Sequence, residues 1–219
     1  MKTIVTLMLC GALALPTLRG QSSWYPSYGG EMLFSFADIS DHGQDGNSLL
    51  RWSPVINLYT YANKDLSEHV GIYGGLSLLN VGYIYDGYTD PSNQVQYKKK
   101  FRTYNIAVPV GLKIGHLDGF FVFGGYSVEF PFAYKEKTFE NGDKIGKITG
   151  WFSSRQESIQ HGFHVGVQLP EGLTVNFKYY LSEFHNQDYT DGAGLKPYDG
   201  LESHIFYFSL SYKMLSKWY

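Results

Sequence analysis

Along residues 103–114 the chain alternates with a period of two. Tyr104, Ile106, Val108, Val110, Leu112 and Ile114 share one parity; Thr103, Asn105, Ala107, Gly111 and Lys113 share the other. Successive side chains of a strand point to opposite faces, so this segment reads as a strand with one apolar and one polar face. The same pattern sets Phe120, Val122, Tyr126, Val128, Phe130 and Phe132 against Gly125, Ser127 and Glu129. It recurs with Phe163, Val165, Val167 and Leu169 against His164, Gly166 and Gln168, and with Leu173, Val175, Phe177 and Tyr179 against Thr174, Asn176, Lys178 and Tyr180. Extended over the chain, it predicts about eight strands, at 31–39, 50–62, 69–85, 100–115, 120–135, 158–169, 172–183 and 203–215. Several exceed the usual soluble strand and suit a tilted membrane-crossing strand of ~9–11 residues with extensions.

Connection lengths choose between a soluble sheet and a membrane barrel. Asn63–Glu68, Gly115–Gly119 and Pro170–Gly172 are short; Ser40–Leu49, Asp86–Lys99, Glu136–Glu157 and Phe184–Glu202 are long. Long and short alternate strictly. That is the layout of an outer-membrane barrel, with short periplasmic turns and longer extracellular loops. Aromatic residues fall where two interfacial belts would lie: Trp24, Tyr25, Tyr28, Trp218 and Tyr219 at one end, Trp52, Tyr83, Tyr85, Tyr104, Tyr134 and Tyr179 toward the other. The expected fold is therefore all-β, an eight-stranded antiparallel transmembrane β-barrel with four long extracellular loops. Two residues disturb the pattern. Pro109 removes a ladder donor in mid-strand and implies a bulge or distorted pair. Asn80 sits on an apolar parity, where a register shift is expected.

Composition adds location. Lys2 followed by the apolar run Ile4–Leu15 and Leu18-Arg19-Gly20 reads as a signal peptide over residues 1–20. Residues 21–30 then form a periplasmic N-terminal segment and 31–219 the barrel. Cys10, the sole cysteine, follows Met8-Leu9 and lies early in the apolar run, which argues against lipoprotein processing. The mature chain would carry no disulfide and no cysteine metal site. The net charge of -2 gives nucleic-acid binding no support. The mean hydropathy of -0.23 is far below that of a helical membrane protein.

Leu76-Ser77-Leu78-Leu79-Asn80-Val81-Gly82-Tyr83, the run Arg102–Lys113, Gly124-Gly125-Tyr126-Ser127 and the aromatic C-terminus resemble the PorT-like "porin family" of small Bacteroidota outer-membrane barrels. The resemblance implies fold and outer-membrane location, and admits a role as accessory subunit of a secretion or assembly complex.

Candidate chemistry is sparse. Arg51, Asn57, Lys113, Glu129 and Lys178, with Lys213, lie on polar parities and are expected to form a lumen network. An eight-stranded barrel is filled by side chains, so interior charges must pair; Glu129 is expected to meet Lys113 or Lys178. Glu202-Ser203-His204 holds hydrolase residue types, but neighbours on a strand face opposite ways. The same argument separates His161 from His164. Asp41, Asp45, Asn47, Asp188 and Asp191 lie in Gly-containing loops, where clustered oxygens could hold calcium, but their spacing matches no calcium loop and they read as turn residues. Gly74-Gly75 and Gly124-Gly125 open no helix and read as close packing in the lumen. Lys98, Lys99, Lys100 and Arg102 would meet the outer leaflet and contact lipopolysaccharide, with Lys135, Lys137, Lys144 and Lys147 in the following loop. The sequence thus points to a structural or interaction protein without catalysis or cofactor. Its partners would be outer-membrane lipid and other outer-membrane or secretion-complex proteins, engaged by loop aromatics Tyr88, Tyr97, Phe139, Trp151, Phe152, Tyr189 and Tyr198. A narrow channel is the alternative reading, and a lipid-modifying enzyme the next.

Overall fold

The computed structural model describes the backbone of residues 23–215 and side chains as far as Tyr212. The signal peptide expected at 1–20, the side chain of Lys213, and Trp218 and Tyr219 lie outside what is described. The strands are β1 (Tyr25–Asp41), β2 (Gln44–Asp45), β3 (Asn47–Leu49), β4 (Arg51–Ser53), β5 (Leu58–Asp65), β6 (Val70–Thr89), β7 (Gln96–Gly115), β8 (Phe121–Glu140), β9 (Asp143–Trp151), β10 (Gln160–Gln168), β11 (Leu173–Tyr180) and β12 (Leu201–Leu215). Antiparallel pairing runs β1-β5-β6-β7-β8, continues from β8 to β10, β11 and β12, and returns from β12 to β1. This closes an eight-stranded ring, so the wall has no edge where it crosses the membrane.

The faces follow the alternation. On β7, Thr103, Asn105, Ala107 and Lys113 are buried, while Ile106, Val108, Val110, Leu112 and Ile114 are exposed. Exposed Leu58, Leu76, Val122, Phe130, Phe163, Val165, Phe208 and Leu210 carry the same apolar band around the barrel. Water would penalise so large an apolar surface; hydrocarbon does not. Among the described residues no helix is long and apolar enough to cross a membrane, and the strands do the crossing.

β6, β7 and β8 are 20 residues each. At ~3.3 Å per residue each extends roughly 65 Å, about twice what a tilted crossing needs. Their upper halves therefore stand above the membrane as a sheet. This changes the expected loops. Asp86–Lys99 is mostly paired strand with a turn between Thr89 and Gln96, and Glu136–Glu157 contains the β8–β9 hairpin.

Four local expectations meet different outcomes. β1 starts at Tyr25, paired with β5 and β12, so residues 25–30 belong to the wall and not to a free periplasmic segment. Pro109 interrupts the ladder opposite Gly75 and Leu76, the distorted pair expected of it, without shifting the register; a bulge lies further up, at Phe132, where Tyr104 pairs Ala133 and Asn105 pairs Pro131. The register of β6 runs unchanged through Asn80 against β7, while against the second wall strand it shifts there. Gly125 is required by its neighbour's backbone, since a Cβ there would lie 2.0 Å from the Val110 carbonyl oxygen. The close approach is thus within the sheet and not across the lumen.

Candidate functional site

The lumen is built in layers. At the periplasmic end Lys113 donates to Asn63 Oδ1 and, at 3.4 Å, to the Tyr25 hydroxyl. Asn63 in turn donates to Ser27 Oγ at 2.9 Å. Above lies a cavity of about 90 Å³ lined by Glu31, Tyr61, Tyr73, Pro109 and His164 among others, room for a few waters. Tyr73 and His164 face each across it, hydroxyl to Nε2 at 2.6 Å.

Glu129 is the hub of the middle layer. Lys178 Nζ donates to its Oε1, as does the Tyr180 hydroxyl at 2.9 Å, and Asn105 Nδ2 donates to its Oε2 at 2.7 Å. Asn105 also donates to Gln160 Oε1 at 2.8 Å. The expected pairing of Glu129 is thus met by Lys178, while Lys113 sits in the layer below. Parity could name these residues but not sort them by depth, because alternation carries no information along the barrel axis. Glu31, which is coupled electrostatically to Lys178 and Glu129, was missed although it opens the expected first strand, because no alternation precedes it to fix its parity.

The third layer closes the extracellular mouth. Lys99 and Glu136 form a buried ion pair at 2.7 Å, and the hydroxyls of Tyr134 and Tyr198 donate to Glu136 Oε2 at 3.0 and 2.7 Å. Arg155 donates to the Tyr198 hydroxyl at 3.1 Å. The segment after β11 folds into the mouth: Phe184, His185 and Tyr198 are buried, and His185 stacks on Tyr198 with centroids 4.3 Å apart. His185 Nε2 meets the Tyr83 hydroxyl at 2.9 Å. Burial pushes the His185 imidazole down to about 3. Burial opposes ionisation of Glu136, yet Lys99 and the two phenols outweigh it and hold the carboxyl below its ordinary value. Lys99 is therefore an inward residue, not a lipid contact. Tyr88 and Tyr198, expected as exposed anchors, are buried, whereas Trp151 and Phe152 are 74% and 80% exposed. Nothing in the spacing of Phe184, His185 or Tyr198 marked an ordered plug.

Arg51 and Asn57 do not join these layers. Between β3 and β5 the second wall strand loses its pairing with β6, leaving a gap beside Asn80. Side chains fill it. Asn80 N–H donates to Asn57 Oδ1 at 2.8 Å; its carbonyl accepts from Arg51 Nη1 at 3.0 Å and Ser53 Oγ at 3.2 Å. Arg51 Nη2 also donates to Asn80 Oδ1 at 2.5 Å. In hydrocarbon every backbone polar group needs an internal partner, and these residues supply what the ladder lacks. This accounts for the polar Asn80 on a lipid-facing parity, and the expected register shift lies on this side: β6 pairs Leu78 with Leu58 below the gap and Ile84 with Leu49 above it, a shift of three residues.

Outside, above the apolar band, the upper sheet carries cations. Lys98, Lys100 and Arg102 point outward from β7, as do Lys135 and Lys137 from β8 and Lys147 from β9.

The remaining candidates separate. Ser203 is buried inside while His204 pairs with Glu183 at 2.9 Å on the other face, so the two cannot act together. His161 bonds Tyr126 outside and His164 bonds Tyr73 inside. Asp41 accepts from Tyr85, and Asp191 accepts the Ala193 and Leu195 amides in a turn. Among the described residues no group of His, Cys, Asp or Glu is placed to hold a metal.

No family model matches the chain, and no curated protein matches it. Solved structures of small outer-membrane proteins resemble it loosely. Ail of Yersinia pestis, solved with the heparin analogue sucrose octasulfate, is 11% identical with a TM-score of 0.40, over 89% of this chain and 100% of Ail. Neisserial surface protein A is 11% identical with a TM-score of 0.41, over 89% of this chain and 99% of that one. OprG of Pseudomonas aeruginosa is 12% identical with a TM-score of 0.35, over 91% of this chain and 100% of OprG. At these scores the likeness says nothing about function. The ring closure, the outward apolar band and the polar interior place the chain among outer-membrane β-barrels on their own.

Proposed function

We propose that this chain is a non-enzymatic outer-membrane barrel that serves as a structural and interaction protein, presenting its extracellular sheet to a protein partner. The observation that carries this reading is β9. It pairs with β8 alone among the described ladders, and its second edge is open above the membrane. An open edge offers main-chain donors and acceptors to an added strand. Lys144 and Lys147 on this edge discourage pairing with a second copy, since antiparallel self-pairing would bring lysines together. The partner is therefore a different chain with an acidic extended segment. An accessory subunit of a secretion or assembly complex, as the PorT-like resemblance implies, fits this description.

Tagged full-length protein, purified from outer membranes in mild detergent, should retain one partner in stoichiometric amount. A variant in which 141–150 is replaced by a Gly-Ser turn should lose it while keeping the heat-modifiable gel mobility of a folded barrel. A solitary full-length barrel, or a partner retained by the shortened variant, defeats the proposal. The channel reading has no comparable support, because the middle and mouth layers lie across the lumen.

A further inference from the structure

The outward face of β7, β8 and β9 is ordered in rows by the strand register. The lowest row is aromatic: Tyr104 on β7, Phe132 at the bulge, and Trp151 on β9, with Phe132 stacked on Trp151 at 5.9 Å. Directly above, Arg102 pairs with Lys135; one step higher, Lys100 pairs with Lys137, which pairs with Lys147. Strand spacing sets these cations ~5 Å apart across the sheet and ~7 Å apart along it. Like charges placed directly opposite destabilise a sheet. Here three stand abreast, and the ion pair on this face lies at its upper corner, Lys98 to Asp86 at 3.6 Å. The ammonium groups of Lys100 and Lys135 are held below their ordinary value, by burial first and then by the surrounding cations. Such an arrangement persists when anions normally occupy it.

Beneath the rows lies an apolar groove of about 540 Å³, lined by Leu78, Ile106, Phe130, Phe132 and Phe152. It opens outward at the top of the lipid-facing band. Phe152 is held there with φ +46°, an uncommon conformation for a bulky residue that marks an over-determined position.

We propose that this face is a binding site for a phosphorylated glycolipid of the outer leaflet, its phosphates on the Arg102–Lys135 and Lys100–Lys137–Lys147 rows and an acyl chain in the groove below. Charge and apolar surface are adjacent and in that vertical order. A free anionic polysaccharide would use the cations and leave the groove empty; an amphiphile uses both. The inference shares the outer-membrane reading above but does not depend on a protein partner at β9.

The full-length barrel in zwitterionic detergent would be titrated with bisphosphorylated lipid A, dephosphorylated lipid A and a soluble sulfated oligosaccharide, with bound species counted by native mass spectrometry. Lipid A carrying its phosphates should bind at least about tenfold more tightly than the dephosphorylated form and the sugar. Replacing the middle row (Lys100→Gln, Lys137→Gln, Lys147→Gln) should remove that preference. Equal binding of both lipid forms, or tighter binding of the sugar, overturns the proposal, and this comparison needs only the unmodified protein. A preference that survives in the variant overturns the placement. The two sites share Lys147, but the pull-down reads a retained protein and the titration compares lipid forms on the unmodified barrel, so either proposal can fail alone.

Discussion

Replacing Glu129 by Gln removes one charge from the most buried ion pair in the lumen. In the native barrel Glu129 takes hydrogen bonds from Lys178, Tyr180 and Asn105, and neither charged side chain is open to solvent. Glutamine preserves shape but leaves the Lys178 ammonium without its main counter-charge. Breaking a buried pair from one side costs about 3–5 kcal/mol, most of it the desolvation of the group left behind. Glu31 also acts electrostatically on Lys178, and Ser127 Oγ still accepts from it. The expected loss therefore lies near the lower end, about 3 kcal/mol. The assay is reversible guanidinium unfolding in lipid vesicles, followed by tryptophan fluorescence. A companion double variant, Glu129→Gln with Lys178→Met, removes both charges and should regain most of that loss. A single variant within about 1 kcal/mol of wild type, or a double variant no better than the single, would refute the claim that Glu129 neutralises Lys178.

Arg51→Met leaves the Asn80 carbonyl and side chain short of donors at a lipid-facing gap, and should cost about 2–4 kcal/mol in the same unfolding assay. Arg51→Lys should not restore it, because one ammonium cannot reproduce the two-pronged donation. The closed mouth should loosen in acid. The His185 imidazole sits at about 3 in the folded plug against an ordinary 6.5, so between those values the open state binds the proton and the closed state does not. Closure stability is complete above about pH 6.5 and falls as pH drops, by about 2 kcal/mol at pH 5. Hydrogen exchange of residues 184–200 should accelerate accordingly, and His185→Gln should flatten that pH dependence. Planar-bilayer recordings of the purified barrel should show no discrete openings, since two side-chain layers cross the lumen.

The barrel was legible wherever lipid and lumen impose different chemistry on alternate residues. β7 from Thr103 to Ile114 is the clearest case. Four residues earlier the same logic is silent: Lys98, Lys99 and Lys100 are one residue type, yet Lys99 turns inward to Glu136 and its neighbours turn out. Identical side chains carry no parity. The bulge at Phe132 was hidden for a related reason, because Phe130-Pro131-Phe132-Ala133 is apolar on both faces. Asn80 did stand out, but its explanation lies in Arg51, Ser53 and Asn57, brought beside it by a gap in pairing that no local pattern records. The mouth plug is least legible of all. Phe184, His185 and Tyr198 meet through tertiary packing within a segment of no repeating period.

The layers also constrain where function can reside. A buried charge pair gives an eight-stranded barrel little net stability, because desolvation offsets most of the attraction. Its effect is on choice: a one-residue slip of β8 against its partners would turn Glu129 toward lipid and leave Lys178 unpaired inside. Placing such pairs at two heights, Glu129–Lys178 and Glu136–Lys99, therefore fixes register through the membrane and into the sheet above it. That rigidity is transmitted upward along β6, β7 and β8, each unbroken from the periplasmic end to the extracellular tip. The cation rows and the open edge of β9 are held at fixed height above the apolar band for the same reason. A slipped register would scatter the rows, so a pair-breaking change such as Glu129→Gln should weaken lipid A preference even in molecules that remain folded, without touching a single outward lysine. Unfolding and lipid titration on that one variant measure the two consequences separately, and an unchanged lipid preference alongside lost stability would show that the sheet keeps its register without help from the lumen.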